Sequence, residues 1–250
     1  MKISKDKKLC EEYIGKHPVI SISLKGINAA SYEAAFELTV KTIKGAVQKA
    51  GFLKMSDKLD EDEKKEYRAI LDENMSEATL FWSLKNLSEL LEKHYETKVI
   101  LLIDEYDVPL AKAFENGYYD KMVFLIRNLL EQTLKTNNSL KFAVMTGCMR
   151  ISKESIFTGL NNLKVLSITD ERFDEYFGFT DEDVKEMLRY YDREDHYEEM
   201  RNWYDGYRFG STDVYCPWDV LNHCDKIKEN AAAFPENYWV HTSSNEAVKK

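Results

Sequence analysis

Cysteine is scarce in this sequence, with four residues scattered at positions 10, 148, 216 and 224 of 250. They are too few and too scattered for a disulfide framework, and the absence of any Cys-x-x-Cys pair favours a reducing compartment. Long apolar runs are also absent, so no segment is predicted to span a membrane. The charged N-terminus, which begins Met1-Lys-Ile-Ser-Lys-Asp, lacks the apolar region of a signal peptide. These absences predict a soluble, cytoplasmic protein.

Basic residues are outnumbered, because 35 Lys and Arg face 44 Asp and Glu and give a net charge of -9. This balance argues against general nucleic-acid binding, and we expect no direct contact with nucleic acid. Hydrophobic residues make up 44% of the chain, which is enough to bury a core. The length allows one large domain or two smaller ones.

Short apolar runs alternate with helical periodicity in the first two thirds of the chain. Nearly continuous β-branched and leucine runs predict strands that are buried on both faces of a parallel sheet. Apolar residues at helical spacing predict the helices between them. The predicted strands are residues 19–24, 98–104, 140–146 and 164–168, and the predicted helices are 31–50, 76–94 and 119–135. This order predicts an α/β fold with a mostly parallel sheet flanked by helices.

The composition changes near residue 170. Residues 170–205 contain 14 acidic and 5 basic residues, and Thr180-Asp-Glu-Asp183 is typical of a capping box. We predict an α/β core over residues 1–169 and a C-terminal helical lobe over residues 170–250. The predicted helices of this lobe are residues 184–191, 197–204 and 217–228. A second acidic stretch, residues 57–77, is interpreted as a solvated insertion.

The segment Ile100-Leu-Leu-Ile-Asp104-Glu105 carries the sharpest chemical signal. A buried strand that ends in Asp-Glu fits an ATPase, in which Asp104 binds Mg²⁺ and Glu105 activates the attacking water. Parallel strands deliver such side chains to the carboxyl edge of the sheet. The alternative is an ordinary strand end with acidic residues in solvent, and the hexapeptide alone does not separate the two.

The next strand supplies two further candidates. Thr146 follows it and is placed to sense a γ-phosphate, and Arg150 could stabilise phosphate charge. Taken alone, however, Thr146 and Arg150 are more typical of a strand end and a surface side chain.

Two other groups are interpreted as structural. Cys216, His223 and Cys224 lie within nine residues, but no fourth metal ligand accompanies them. An aromatic group near them is interpreted as core that joins the lobe to the sheet, and not as a base-stacking surface. Its members are Trp203, Tyr204, Tyr207, Phe209, Tyr215 and Trp218.

Several segments together resemble a known family. They are Leu102-Ile-Asp-Glu-Tyr-Asp-Val-Pro-Leu110, residues 145–163, Phe177-Gly-Phe-Thr-Asp-Glu-Asp183, Tyr204-Asp-Gly-Tyr-Arg-Phe209 and Tyr215-Cys-Pro-Trp-Asp-Val220. Over roughly residues 15–245, the chain is similar to the AAA-ATPase-like family of uncharacterised bacterial proteins. The resemblance implies a P-loop NTPase-like fold, Mg²⁺ and ATP as cofactors, and the roles given above for Asp104, Glu105, Thr146 and Arg150. Members of the family commonly carry a PD-(D/E)XK nuclease-like domain as well.

The sequence departs from this family pattern in two respects. It contains no Gly-x-x-x-x-Gly-Lys-Ser/Thr phosphate loop and no nuclease-like domain. Because the resemblance makes the P-loop strand the central one of five, its absence should leave neighbouring strands with unpaired backbone groups. We therefore expect a fragment of a longer protein, in which ATP binding and hydrolysis are lost or depend on a missing segment. The alternative is a non-catalytic module, derived from an ATPase, that binds an unknown protein partner.

Overall fold

Three of the four apolar runs form one parallel sheet. Its strands are β1 (Val19–Ser23), β2 (Val99–Asp104) and β3 (Leu140–Met145), in the order β1-β2-β3. The computed structural model describes residues 2–148, 156–157, 160 and 163–239, and the fourth run, residues 164–168, lies there in irregular structure. Leu166 and Ile168 are 37% and 63% exposed, so this run lacks the burial of a central strand. The prediction of a fourth strand is wrong.

Helices flank this sheet, which confirms the α/β class. Ser31 and Ser76 begin the two longest helices, where their side chains accept hydrogen bonds from the amides of Ala34 and Thr79. The three helices predicted between the strands are confirmed. The helices of this region are α1 (Lys7–Tyr13), α2 (Tyr32–Gln48), α3 (Glu61–Ile70), α4 (Glu77–Tyr95), α5 (Val108–Glu115) and α6 (Tyr119–Leu134).

Helix α3 lies within the stretch that was interpreted as a solvated insertion. Its charged face is exposed, but Tyr67 and Ile70 are fully buried in the core. The Tyr67 hydroxyl donates a hydrogen bond of 2.9 Å to the backbone oxygen of Val47. The insertion therefore packs against the sheet unit through one side, and the interpretation as solvated holds only for the other.

The two faces of the sheet differ in exposure. One face packs into the hydrophobic core with residues such as Ile22, Leu101 and Ile103. On the other face, four apolar side chains remain exposed by 37% to 53%, which contradicts the prediction of burial on both faces. They are Val19, Leu102, Phe142 and Val144, and we call them the open face.

The chain divides into two units, Met1–Leu163 and Lys164–Lys250. In its described residues the second unit contains three α-helices, as predicted, but also a small antiparallel sheet that the helical-lobe prediction missed. Its elements are β4 (Phe179–Thr180), α7 (Asp181–Tyr190), α8 (Tyr197–Tyr204), β5 (Asp205–Phe209), β6 (Thr212–Tyr215) and α9 (Pro217–Glu229), with the strand order β4-β6-β5. Thr180 and Asp183 form the predicted capping box, and α7 begins directly after Thr180.

A tight turn at Gly210 joins β5 and β6. The residue has a φ of 51°, which favours glycine. A Cβ atom there would lie 2.7 Å from the backbone oxygen of Asp170 and 2.8 Å from Oδ2 of Asp174. The same Asp174 oxygen accepts a 3.0 Å hydrogen bond from the Ser211 amide. The missed hairpin therefore depends on a glycine turn held by a carboxylate.

Asp181 organises polar contacts within the second unit. Its Oδ1 accepts hydrogen bonds from the hydroxyls of Tyr197 and Tyr215 at 2.6 and 2.9 Å. Lys185 forms an ion pair with its Oδ2 at 2.6 Å. Partial burial opposes the charged form of Asp181, but these three partners outweigh it, so the pKa of Asp181 lies below its ordinary value.

Only part of the predicted aromatic core is buried. Tyr204 and Tyr215 are 5% and 1% exposed, whereas Trp203, Tyr207 and Trp218 are 40%, 53% and 46% exposed. The prediction is therefore wrong for those three rings.

Within the described part of the chain, no helix combines the length and the apolar character that crossing a membrane requires.

Candidate functional site

The carboxyl edge of the parallel sheet brings two of the candidate side chains into contact. Asp104 is the last residue of β2, and Thr146 directly follows β3. The Thr146 hydroxyl donates a hydrogen bond to Oδ1 of Asp104. The Thr146 amide also donates to the Ile103 backbone oxygen at 2.9 Å, which extends the strand pairing to this point. The strands themselves therefore set the distance between these two side chains.

Glu105 stands at the same edge in an unusual backbone conformation. Its φ of 53° lies in the left-handed region, which is uncommon for residues other than glycine. Hydrogen bonds on both sides hold it there, because the Asp104 oxygen accepts from the Leu24 amide at 2.9 Å and the Tyr106 amide donates to the Thr146 oxygen at 3.2 Å. Such strained residues occur preferentially at functional sites.

A lysine completes the charged groups of this edge. Lys25 follows β1, and its Nζ lies 3.6 Å from Oε1 of Glu105. The lysine side chain is 76% exposed and that of Glu105 is 27% exposed. Lys25 was not predicted as a site residue, although its position directly after the predicted strand of residues 19–24 places it on the same edge as Asp104.

The loop after β3 packs closely against the segment after β2. A Cβ atom at Gly147 would lie 2.7 Å from Oδ1 of Asp107 and 2.8 Å from Cε1 of Tyr106. The Asp107 side chain is buried, and the Tyr106 ring contacts that of Phe157 at 5.4 Å. Glycine is therefore required at position 147 for the two loops to approach each other.

Cys148 lies within the electrostatic reach of these carboxylates. Burial raises the pKa of the Cys148 thiol. The charges of Asp107, Glu105 and Asp104 raise this pKa further. The edge is thus a concentrated negative field, which favours a bound cation. Arg150, the remaining candidate, lies outside the described residues.

A second group of chemically active side chains lies in the C-terminal unit. His196, Glu199 and His223 each offer one ligand atom, and these three atoms lie within 4.8 Å of one another. This is the one group of metal-ligating side chains with such spacing in the described ranges, and Cys216 and Cys224 do not join it. The spacing of the sequence had grouped His223 only with its neighbouring cysteines, and its partners at the start of α8 were not predicted.

Comparison with known proteins identifies the chain by its N-terminal region. The chain belongs to the family described as "Predicted AAA-ATPase", whose model matches residues 2–157. A curated relative from Azotobacter chroococcum mcd 1, the "Uncharacterized protein in vnfD 5'region", is 33% identical over 137 residues. That match covers 50% of this chain and 24% of the relative, so the chain spans about a quarter of that protein. No solved structure matches.

Proposed function

We propose that the carboxyl edge of the β1-β2-β3 sheet is the metal-binding and water-activating part of a Mg-ATP site on a P-loop NTPase-like fold. Asp104 holds Mg²⁺ directly or through water, Glu105 orients and polarises the attacking water, and Thr146 contacts the γ-phosphate. Arg150 is assigned the stabilisation of phosphate charge on the family resemblance alone.

The observation that carries this proposal is the contact between Asp104 and Thr146 at the ends of adjacent parallel strands, in a chain of the "Predicted AAA-ATPase" family. Ligands of open α/β folds bind at this edge. Because Oδ1 of Asp104 accepts from Thr146 and the residue is exposed, Oδ2 is left for Mg²⁺ and its waters. The strained backbone of Glu105 supports a role for that residue.

Lys25 supplies a positive charge that the phosphates need. Its ammonium stands beside Glu105 on an exposed and flexible side chain, so it can turn toward a triphosphate without leaving the edge. In the proposed site Lys25 acts as a point charge on the phosphates. It does not replace the backbone N–H groups of a phosphate loop.

The phosphate loop is the part that the 250 residues do not contain. Within the described residues β3 pairs only with β2, so its other edge can accept a further strand. A parallel strand added there would carry its loop to the edge next to Thr146. We therefore propose that this chain alone hydrolyses ATP very weakly or not at all, and that hydrolysis depends on such a segment.

Titration calorimetry with Mg-ATP tests the site directly. Because the phosphate loop is missing, we expect the wild-type chain to bind Mg-ATP only weakly, and Asp104→Asn should weaken this binding further, because a metal ligand is lost. Asp57 is an exposed aspartate outside the proposed site, so Asp57→Asn is the matched control and should bind Mg-ATP like wild type. Removal of Mg²⁺ should have the same effect as Asp104→Asn.

Two results would contradict the proposal. The first is no binding up to millimolar nucleotide, and the second is binding that Asp104→Asn leaves unchanged. A hydrolysis rate that Glu105→Gln abolishes would instead show that the chain is an active ATPase by itself.

The second candidate function is a non-catalytic interaction module. The open face favours it, because exposed apolar patches on a sheet mark surfaces that bind protein. If the wild-type chain is folded but does not bind Mg-ATP, this function is favoured over the first.

A further inference from the structure

We propose that His196, Glu199 and His223 of the C-terminal unit form a binding site for one divalent transition-metal ion of the Zn²⁺ type. The proposal is independent of the nucleotide site proposed above, because it uses other residues, another unit and another class of metal.

The geometry of the three side chains matches such an ion. Nε2 of His223 lies 3.0 Å from Oε1 of Glu199, and Nδ1 of His196 lies 3.4 Å from the same oxygen. In a tetrahedral zinc site with bonds of 2.0–2.1 Å, ligand atoms are about 3.3 Å apart. Two of the three separations therefore already fit, and all three ligand atoms lie within 4.8 Å of one another.

The local sequence explains how the ligands meet. His196 directly precedes α8 and Glu199 is the third residue of that helix, so the i, i+3 spacing puts both on one side of the helix. His223 lies in the middle of α9, which packs against α8 in the same core. Two ligands from one helix start and one from a facing helix form an arrangement that helical metal sites use.

Burial gives the site a closed side and an open side. The His223 side chain is completely buried and that of His196 is 10% exposed, whereas that of Glu199 is 35% exposed. An ion can enter past Glu199, and water can occupy its fourth position there. Three protein ligands with one water is the arrangement of zinc sites that keep an open coordination position.

The surroundings of His223 leave one side of its ring for polar contacts. The side chain is completely buried, and its Nε2 faces Oε1 of Glu199 at 3.0 Å. Nδ1 of His223 is buried, and no hydrogen-bond partner for it occurs among the described residues. The polar contacts of this ring therefore all lie on the Nε2 side, where the other two ligands converge.

The ligand types define the class of metal. Two imidazoles and one carboxylate suit Zn²⁺, Co²⁺ and Ni²⁺, whereas Mg²⁺ and Ca²⁺ prefer sites made of oxygen atoms alone. Thiolates do not take part, because neither Cys216 nor Cys224 belongs to the group of three converging ligand atoms. The acidic segment around α8, with a net charge of -9 over residues 170–205, attracts a cation.

The test uses the full chain, with Co²⁺ as a spectroscopic probe and Zn²⁺ as its competitor. We expect one Co²⁺ per chain, with the visible absorption of a four- or five-coordinate site and without the intense near-ultraviolet band of thiolate ligation. Zn²⁺ should displace it. Glu199→Gln and His196→Gln should each lower the affinity by at least about tenfold, since loss of a ligand costs more than loss of an outer partner.

Glu199→Gln separates a metal site from a structural hydrogen bond. The glutamine keeps the side-chain length and an oxygen that accepts from His223, but its neutral oxygen is a poor metal ligand. A purely structural role predicts that wild type and Glu199→Gln are both folded and that neither binds Co²⁺, whereas the proposal predicts that wild type binds Co²⁺ and that the folded variant does not. His17→Gln in the other unit, where His17 contacts the Lys98 backbone oxygen, is the control and should bind metal like wild type.

Three outcomes would overturn the proposal. They are the absence of one-to-one binding at micromolar Co²⁺ or Zn²⁺, a thiolate band in the Co²⁺ spectrum, and binding that survives both Glu199→Gln and His196→Gln. Circular dichroism of each variant shows whether it folds. If His196→Gln does not fold, the comparison of Glu199→Gln with wild type decides.

Discussion

The left-handed backbone of Glu105 predicts that glycine is more stabilising than alanine at this position, which is the reverse of the usual order. We expect Glu105→Gly to be more stable than Glu105→Ala, although alanine is usually the better residue. Both substitutions remove the carboxylate and its 3.6 Å contact with Lys25, so those losses cancel in the comparison. What remains is the response of the backbone to a Cβ atom at a φ of 53°.

The magnitude follows from two opposing effects. A Cβ atom in the left-handed region costs about 1–2 kcal/mol, which glycine does not incur. Glycine gains about 0.5–1 kcal/mol of conformational freedom in the unfolded chain, which favours alanine. The difference is about 0.5–1 kcal/mol in favour of glycine at position 105.

The control is an exposed glutamate in regular helix. Glu37 lies in α2 with its side chain in solvent. There Glu37→Gly should be about 1 kcal/mol less stable than Glu37→Ala, because glycine weakens a helix interior. The two positions therefore predict opposite signs for the same pair of substitutions.

Urea unfolding is monitored by hydrogen exchange in peptides that cover β2. This measures the stability of the N-terminal unit, which contains both Glu105 and Glu37. This readout is needed because a chain with two units does not have to unfold in one step. If Glu105→Ala proves as stable as Glu105→Gly, the backbone at this position is not strained. The support that strain gives to a functional role of Glu105 would then be lost.

Two further predictions concern the loop after β3 and the acid stability of the second unit. Gly147→Ala should lower the free energy of unfolding by about 1–3 kcal/mol, because its Cβ would lie 2.7 Å from the buried carboxylate of Asp107. Urea unfolding measures this change. An unchanged unfolding midpoint would refute the close packing of the two loops. Asp181 stabilises the folded state through a lowered pKa, so this contribution is complete above its ordinary value of 3.8 and is lost as the pH falls through the lower, folded-state pKa. Below about pH 4 the second unit of wild type should therefore lose stability more steeply than that of Asp181→Asn, as measured by urea midpoints at several pH values, and parallel curves would refute the assignment.

The N-terminal unit could be predicted well from its sequence because its signals are local. Helical periodicity located α2 and α4, and continuous apolar runs located the three paired strands. The meeting of Asp104 with Thr146 followed from strand order, since the ends of parallel strands share one edge. The exposure of the open face did not follow, because a run such as Val99–Asp104 reads the same whether one face or both are covered.

The C-terminal unit was harder to predict because its strands are short and its contacts are distant. β4 has two residues and β6 has four, too few for a readable alternation of polar and apolar positions. His196 and Glu199 do carry a local signal in their i, i+3 spacing, but His223 lies 24 residues beyond Glu199 on another helix. The spacing in the sequence pointed instead to Cys216 and Cys224, which do not belong to the group formed by His196, Glu199 and His223.

The chemistry of the ligands makes the two proposed sites separable in one protein. Asp104 and its neighbours offer only oxygen atoms, which suit Mg²⁺, whereas His196 and His223 offer nitrogen atoms, which suit Zn²⁺ and Co²⁺. Mg²⁺ should therefore support nucleotide binding without occupying the histidine site. Likewise, Asp104→Asn should leave Co²⁺ absorption unchanged, and Glu199→Gln should leave Mg-ATP binding unchanged. If both substitutions weakened both kinds of binding, the two sites would be coupled, and neither unit could be assigned its metal alone.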